Sequence, residues 1–207
     1  MSDTKENILF TALRLFARDG YEAVSVSAIA GELGMTKGAL YKHYKNKRDI
    51  FDSIFEHVYQ GDVVLAKKHG VPEDIFENAP LAFKNTSMEN LKKYIESTFR
   101  IWVEEEFARN FRKMLTLEQY RSQEMGDLYI LCVCQVSYIE DLFREMMEQG
   151  ALKKCDPKLL ALEFFAPYHL LINMAMVDSS SDIEEAANLL TAHIERFIAM
   201  NTTEQSQ

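Results

Sequence analysis

Apolar residues recur every three or four positions along most of the chain, which is the spacing of amphipathic helices. Neither a strand-like alternation of apolar and polar residues nor an internal repeat interrupts this pattern. The spacing therefore predicts an all-α protein of about nine helices. They are predicted over about residues 4–18, 26–33, 36–44, 47–69, 87–103, 108–121, 125–149, 157–177 and 183–200.

Polar segments and proline mark the breaks between these helices. The sequence His-Gly-Val-Pro over residues 69–72 is a strong stop, because Gly and Pro both disfavour helix continuation. Residues 72–86 hold two prolines and predict a connector. Residues 178–182 predict a polar turn, and residues 201–207 predict a frayed tail.

The segment from Ser25 to Lys47 combines two short helices with a tight turn. Gly34 suits the left-handed conformation that ends a helix, and Thr36 is a favourable N-cap for the next helix. In this second helix Leu40 and Tyr44 lie four residues apart and are predicted to face the core. The arrangement is a helix-turn-helix signature, whose second helix enters the major groove of DNA.

Charge along the chain supports a local nucleic-acid contact. Residues 36–48 hold five Lys or Arg and no Asp or Glu. Residues 1–50 hold eight Lys or Arg against six Asp or Glu, a net charge of +2, whereas the remainder holds 15 against 26, a net of −11. One basic face on an acidic protein fits localised phosphate contact and excludes binding of nucleic acid over the whole surface.

The same segment resembles the TetR family of transcriptional repressors. The matching residues are Ser25, Val26, Ile29, Ala30, Gly34, Met35, Thr36, Gly38, Leu40, Tyr41, His43, Tyr44 and Lys47. The apolar face of the first helix and the turn over residues 19–21 match as well, so that the resemblance covers residues 5–55. It implies an N-terminal three-helix DNA-binding domain over residues 1–48 and a C-terminal helical domain for ligand binding and dimerisation over residues 49–200.

The resemblance also implies which side chains contact double-stranded DNA. Base edges are expected to meet Ser27, Thr36, Lys37 and Ala39, while Gly38 lets the backbone approach the groove. Phosphates are expected to meet Ser25, Tyr41, His43 and Lys47. The alternative for Tyr41 is a packed aromatic side chain with a free hydroxyl, and the alternative for His43 is an exposed polar residue.

Helices five to eight carry most of the aromatic residues and predict a pocket for a small molecule. An apolar wall and a few polar groups are the usual lining of such a site. The predicted lining is Phe99, Trp102, Met114, Gln135, Tyr138, Phe164, His169 and Asn173. Each polar member has an alternative role as a hydrogen-bonded core group. The effector is expected to be apolar or aromatic, and the net charge of −11 favours a neutral or cationic compound over an anionic one.

Residues 159–177 are nearly all apolar and long enough to span a membrane. Glu163, Pro167, His169 and Asn173 interrupt the stretch, so we interpret it as a helix packed on its own domain and on a second subunit. Helices eight and nine are therefore expected to form a homodimer interface that includes Leu190, Ile194 and Phe197. Two-fold symmetry then predicts a near-palindromic operator.

Other features argue against catalysis and secretion. The chain shows no Ser-His-Asp order with a motif, no phosphate-binding glycine loop and no HExxH. Three cysteines, an odd number, predict reduced thiols, and the N-terminal residues predict no signal peptide, so the expected location is the cytoplasm. We expect no cofactor, no metal site and no membrane association.

The sequence thus predicts a DNA-binding regulator that acts as a repressor and is released by a small molecule bound in the C-terminal domain. Two alternatives stay open. The first is an activator, or a regulator gated by a protein partner, with a filled core instead of a pocket. The second is a helical enzyme or carrier with a degenerate DNA reader.

Overall fold

A computed structural model of the chain describes residues 3–72, 86–177 and 183–203. Over these residues the fold is all-α, as predicted, with ten α-helices, one π-helical turn at Ile130–Cys134, and no strand beyond an isolated bridge between Leu152 and Thr202. The α-helices are α1 Asp3–Asp19, α2 Val26–Glu32, α3 Lys37–Leu40, α4 Lys47–His69, α5 Met88–Glu104, α6 Glu106–Glu118, α7 Gln123–Tyr129, α8 Val136–Glu148, α9 Pro157–Val177 and α10 Ile183–Asn201.

The chain divides into two compact units. The first unit consists of Met1–Gly61 and Glu105–Val133, and its centre is the packing of α1 against α6. The apolar face predicted for the first helix is buried there, including Ile8 and Phe16. Aromatic contacts extend this core, with ring centroids 4.7 Å apart for Phe10 and Phe107 and 4.9 Å apart for Phe55 and Phe111.

The second unit consists of Asp62–Glu104 and Cys134–Gln207. Helix α9 packs there against α5, α8 and α10. Its core contains an aromatic cluster in which the ring centroid of Phe164 lies 5.3 Å from that of Phe143 and 4.8 Å from that of Phe197. The burial of these rings supplies a large apolar area, which is the main stabilising contribution to such a core.

The predicted seventh helix is not continuous. The structure replaces a single helix over residues 125–149 by α7, the π-helical turn and α8. Gln135 adopts a left-handed conformation with φ of 37° at the start of α8, so the helical hydrogen bonds cannot run through it. Ile130 and Leu131 in the π-helical turn are exposed.

Some predictions concern residues that lie outside the described part of the chain. Most of the connector predicted over residues 72–86, the turn over residues 178–182 and the end of the tail over residues 201–207 belong to these segments. The predicted domain boundary between residues 48 and 49 stays a prediction.

Candidate functional site

Helices α2 and α3 are joined by a compact turn that local chemistry explains. The N–H of Ala28 donates to the Ser25 hydroxyl at 3.1 Å, which caps the start of α2. Gly34 has φ of 63° and follows the helix end, where the N–H of Met35 reaches back to the carbonyl of Ala30 at 2.9 Å. This geometry confirms the predicted left-handed conformation of Gly34 and shows a capping role for Ser25 beside its predicted phosphate contact.

The second helix of the motif starts at a similar cap. The N–H of Ala39 donates to the Thr36 hydroxyl at 3.1 Å. The α-helix ends at Leu40 and continues as a turn through residues 41–43, so it is shorter than the predicted 36–44. A capping hydroxyl accepts the backbone hydrogen bond with its oxygen and keeps its own hydrogen available for an outside acceptor.

The inward side of α3 and of the turn that follows it is fixed to the core of the first unit. Leu40 and Tyr44 are buried, as their spacing predicts. The Tyr44 hydroxyl donates to the carbonyl of Lys5 in α1 at 3.1 Å. Burial raises the pKa of Tyr44 to about 12, so the phenol stays protonated and keeps this hydrogen bond at neutral pH.

The opposite side of the motif carries the side chains predicted to contact DNA. Six of them are exposed: Ser25, Ser27, Thr36, Lys37, Gly38 and Tyr41. Ala39, His43 and Lys47 are partly buried. The ammonium of Lys37 lies 5.7 Å from the centre of the Tyr41 ring. The exposed set lies in the two helices and in the residues next to their ends. It presents hydroxyl and ammonium groups, which can donate hydrogen bonds to phosphates and base edges.

Lys47 has internal partners that its predicted phosphate contact did not anticipate. Its ammonium donates to the carbonyl of Tyr21 at 2.9 Å and to that of Glu22 at 3.4 Å. The same ammonium lies 4.3 Å from the centre of the Tyr21 ring. The Lys47 side chain therefore links the start of α4 to the turn between α1 and α2 by hydrogen bonds.

A second side chain that binds the same turn, Glu118 of α6, is not predicted from the sequence. The backbone N–H of Tyr21 donates to Glu118 at 3.0 Å, and the Glu118 side chain is only 2% exposed. Nothing in the periodicity of α6 distinguishes Glu118 from an ordinary surface acid. Burial of an acidic side chain in an amphipathic helix is understood only when its hydrogen bond from a distant backbone N–H is known.

The predicted effector-pocket residues fall into three groups. Phe99, Trp102 and Phe164 are buried in the second unit. The polar members Gln135, Tyr138, His169 and Asn173 are partly buried there, and the Tyr138 hydroxyl donates to the carbonyl of Pro72 at 3.0 Å. Met114 is buried in the first unit.

A cavity of about 340 Å³ opens in the second unit between the end of α4, α5 and α10. Its lining includes His69, Glu96, Phe99, Arg100 and Leu190. Phe99 is the one member of the predicted pocket that lines this cavity. The polar side chains around it bond to one another, since Thr191 donates to Glu96 at 2.7 Å and Ser97 lies 3.1 Å from the His69 ring nitrogen.

The three residues predicted for the subunit contact lie inside their own chain. Leu190 and Ile194 are 1% exposed and Phe197 is 5% exposed, because they pack against the core of the second unit. The same two helices expose a different set, which we call the apolar stripe. Its members are Leu159, Leu162, Leu170, Met174 and Val177 on α9 and Leu189 and Met200 on α10.

Helix α9 is also the one described helix that is long and apolar enough to cross a membrane. It has 21 residues, and a third of its most apolar stretch is buried within the protein. Length and composition alone do not distinguish a membrane span from a helix with one core face and one partner face.

Comparisons with known proteins agree on one type of molecule. Residues 8–54 match a family model described as bacterial regulatory proteins, tetR family. The chain is 26% identical over 206 residues to the uncharacterized HTH-type transcriptional regulator YhgD of Bacillus subtilis strain 168, a match that covers 96% of this chain and 98% of YhgD. It is 44% identical over 54 residues to the HTH-type transcriptional regulator AcrR of Shigella flexneri, which covers 26% of this chain and 25% of AcrR.

Solved structures with the same fold include SmeT, the repressor of the Stenotrophomonas maltophilia multidrug efflux pump SmeDEF. The TM-score is 0.67 at 22% identity, with 100% of this chain and 94% of SmeT covered. The complex of SmeT with triclosan gives a TM-score of 0.70 at 20% identity, with 99% and 94% covered. At these identities the likeness concerns the fold.

Proposed function

We propose that this chain is a repressor released by a small molecule. The proposal starts from residues 8–54, which match the model of the tetR family of bacterial regulatory proteins. The chain is a DNA-binding transcriptional regulator of the TetR type. The finer proposal has three parts, which are a cytoplasmic homodimer, a near-palindromic operator, and an effector bound by the second unit. The exposed donors on α2 and α3 are the observation that carries it.

The DNA-reading part rests on the separation between the two sides of α3. Leu40 and Tyr44 anchor the helix, while Thr36, Lys37 and Gly38 face outward. A helix fixed by its inner side presents its outer donors with little loss of conformational freedom on binding, which favours affinity. Lys37 and Thr36 are proposed to meet base edges, whereas Ser25 and Tyr41 are proposed to meet phosphates.

The dimer part rests on the apolar stripe. Leu159, Leu170, Met174 and Val177 recur at helical spacing on one side of α9, and Leu189 is exposed on α10. Contiguous exposed apolar surface is rare on monomers and common at subunit interfaces. A two-fold contact along α9 and α10 would cover the stripe. In such a dimer the two copies of α3 are proposed to enter successive major grooves of DNA, about 34–36 Å apart.

The effector part rests on two observations. The second unit is rich in aromatic side chains, and SmeT, a protein of the same fold, has been solved in complex with triclosan. A ligand can shift a regulator between two states only by binding one of them more tightly. We propose that the effector favours a state whose two readers no longer match the operator. A regulator gated by a protein partner is the second candidate, and the close mutual packing of Phe143, Phe164 and Phe197 favours it.

Selection of bound duplexes from a random DNA library tests the proposal. The purified chain should enrich one near-palindrome whose half-sites are about 10–10.5 base pairs apart from centre to centre, or a multiple of that distance. A family of unrelated sequences, or a single half-site without symmetry, would contradict it. The protein-gated alternative is tested by adding a cell extract with and without its small-molecule fraction and measuring release of the selected operator.

A further inference from the structure

The cavity between the end of α4, α5 and α10, which we call the α5–α10 cleft, carries an excess of positive charge in its lining. Lys93 and Arg100 of α5 supply two cations, and His69 adds an imidazole ring. Glu96 is the one acid among the described residues of the lining. A molecule bound in the cleft would therefore meet more cationic groups than acidic ones.

The bottom of the cleft is apolar. Phe99 of α5 and Leu190 of α10 line it, and each is only 1% exposed, so both lie deeper than the charged residues. Ala187 lies three residues before Leu190 on α10 and extends this surface. The volume of about 340 Å³ falls near the lower end of small-molecule sites, roughly 300–1,000 Å³. The cleft therefore suits a small molecule with an apolar body and a charged head.

Hydrogen-bond donors converge at the α4 end of the cleft. His69 Nε2 lies 3.1 Å from the Ser97 hydroxyl oxygen. When Nε2 carries a hydrogen it donates to Ser97, and the hydroxyl hydrogen of Ser97 is then available to another acceptor. Burial lowers the pKa of His69, and the charges of Lys68 and Lys93 lower it further. The ammonium of Lys93 therefore acts on the same place as the Ser97 hydroxyl, and both can donate to one anion.

Two of the charged side chains in the lining already have strong partners. Glu96 accepts a hydrogen bond from the Thr191 hydroxyl at 2.7 Å. The Arg100 guanidinium donates to Glu104 at 2.8 Å and to Glu184 at 2.7 Å. Each of these contacts satisfies part of the hydrogen-bonding capacity of its group. Arg100 and Glu96 are therefore less available to a ligand than their charges alone would indicate.

Lys93 is held less firmly. Its ammonium lies 3.4 Å from Glu89 Oε1, and more than half of each side chain is exposed. Exposed ion pairs of this kind contribute little to stability, because water and salt screen them. The ammonium of Lys93 can therefore turn to a bound anion at little cost.

The net charge of −11 over residues 51–207 does not prevent anion binding in this cleft. Exposed charges more than about 8 Å apart are largely screened at physiological ionic strength, so the nearest groups determine the field. At the ring of His69 the neighbouring lysines favour the neutral form, which indicates a positive local field. The preference for a neutral or cationic compound, expected from the net charge, does not extend to the α5–α10 cleft.

We infer that the α5–α10 cleft binds a small organic carboxylate, whose charged group lies at Lys93 and Ser97 and whose apolar body lies on Phe99 and Leu190. This site goes beyond the proposed function. Of the residues predicted to line the effector pocket only Phe99 belongs to it, and binding there does not require the chain to be a repressor.

The test compares phenylacetate with phenylacetamide, a neutral compound of nearly the same shape. NMR titration of the full-length chain measures the affinity for each probe. Wild type should bind phenylacetate more tightly than phenylacetamide. Lys93→Gln should lose about tenfold in affinity for phenylacetate, the scale of one charge-assisted hydrogen bond, and keep its affinity for phenylacetamide. Equal affinity of wild type for the two probes, or no saturable binding of phenylacetate, would overturn the inference.

Two further variants separate the site from a general effect of charge. Lys158→Gln removes an exposed lysine of the same unit that does not line the cleft, and it should bind phenylacetate as wild type does. Glu96→Gln removes the acid of the lining and keeps an acceptor oxygen for Thr191, so it should bind phenylacetate more tightly. Equal losses in Lys93→Gln and Lys158→Gln, or weaker binding by Glu96→Gln, would contradict the assignment.

The ring signals of the histidines locate the bound probe. The His69 signal is identified by its absence from the spectrum of His69→Gln. In wild type this signal should shift with phenylacetate along the same saturation curve that gives the affinity. Saturable binding of phenylacetate that leaves the His69 ring signal unchanged would place the probe elsewhere and overturn the inference.

Discussion

Glu118 accepts a hydrogen bond from the backbone N–H of Tyr21 at 3.0 Å, across 97 positions of the chain. The carbonyl of the same tyrosine accepts from the Lys47 ammonium at 2.9 Å. The turn that leads into α2 is thus held from α6 on one side and from α4 on the other. Because α2 follows this turn, the two hydrogen bonds also hold the segment from which α2 begins.

Removal of the Glu118 carboxylate is expected to destabilise the protein. Glu118→Ala leaves the buried N–H of Tyr21 without its acceptor, which costs about 1–3 kcal/mol. Urea unfolding of the purified variant measures the loss. Glu118→Gln keeps an acceptor oxygen in place and should lose less. Equal unfolding free energies for wild type and Glu118→Ala would show that this hydrogen bond contributes nothing.

Gly20 should tolerate no side chain at the same turn. Its φ is 89°, a conformation that costs an L-residue energy, and an added Cβ would lie 3.0 Å from Glu118 Oε1. Gly20→Ala is expected to lower the unfolding free energy by roughly 1 kcal/mol or more. Gly31→Ala is the control, since that glycine lies in α2 with nothing within 4 Å of an added Cβ. The control should be neutral or stabilising, and a larger loss in it than in Gly20→Ala would refute the argument.

Lys47 is expected to contribute to stability as well as to DNA affinity. Lys47→Ala removes the donor to two backbone carbonyls, so the midpoint of urea unfolding should fall by the equivalent of about 1 kcal/mol. Lys45→Ala, at an exposed neighbouring position, should change the unfolding free energy by less than about 0.5 kcal/mol. If Lys47→Ala weakens operator binding while its unfolding curve matches that of wild type, the side chain acts on phosphate alone.

The apolar stripe and the core of the second unit should respond differently to a buried charge. Leu170 is 59% exposed within the chain, so Leu170→Glu should give a folded monomer with weak operator affinity. Ile194→Glu places a charge inside the core and should unfold the second unit instead. Sedimentation velocity and circular dichroism distinguish the two results. Tyr120→Glu, at an exposed aromatic residue of the first unit, controls for added charge and should remain dimeric.

The helix-turn-helix could be predicted because its signals are local. Capping by Ser25 and Thr36 and the left-handed Gly34 each depend on residues a few positions away. The partners of Lys47 and Glu118 could not be predicted in the same way, since both bind the backbone of a distant turn and a backbone group leaves no mark in the sequence. The apolar periodicity correctly gave the all-α fold for the described residues.

Two other features of the structure, the break in the predicted seventh helix and the buried side of α10, also depend on contacts that the local sequence does not show. The stretch around Gln135 contains neither Gly nor Pro, so its sequence does not announce the π-helical turn and the left-handed residue that interrupt the helix. On α10, apolar residues occur on more than one side, and periodicity cannot distinguish a core side from a partner side. Leu190 and Ile194 proved to be on the core side, and Leu189 on the exposed side.

Equilibrium binding of the purified protein to its selected operator, and to a shuffled duplex of the same composition, tests the central claim most directly. At moderate salt, wild type should bind the operator at least about 10³-fold more tightly than the shuffled duplex. Lys37→Ala should lose about 1–3 kcal/mol on the operator and relax the preference at one base pair of each half-site. Lys93→Ala, at an exposed lysine of the second unit, should bind as wild type does. Equal affinity for the two duplexes, or an unchanged base preference in Lys37→Ala, would contradict the claim that α3 reads DNA sequence.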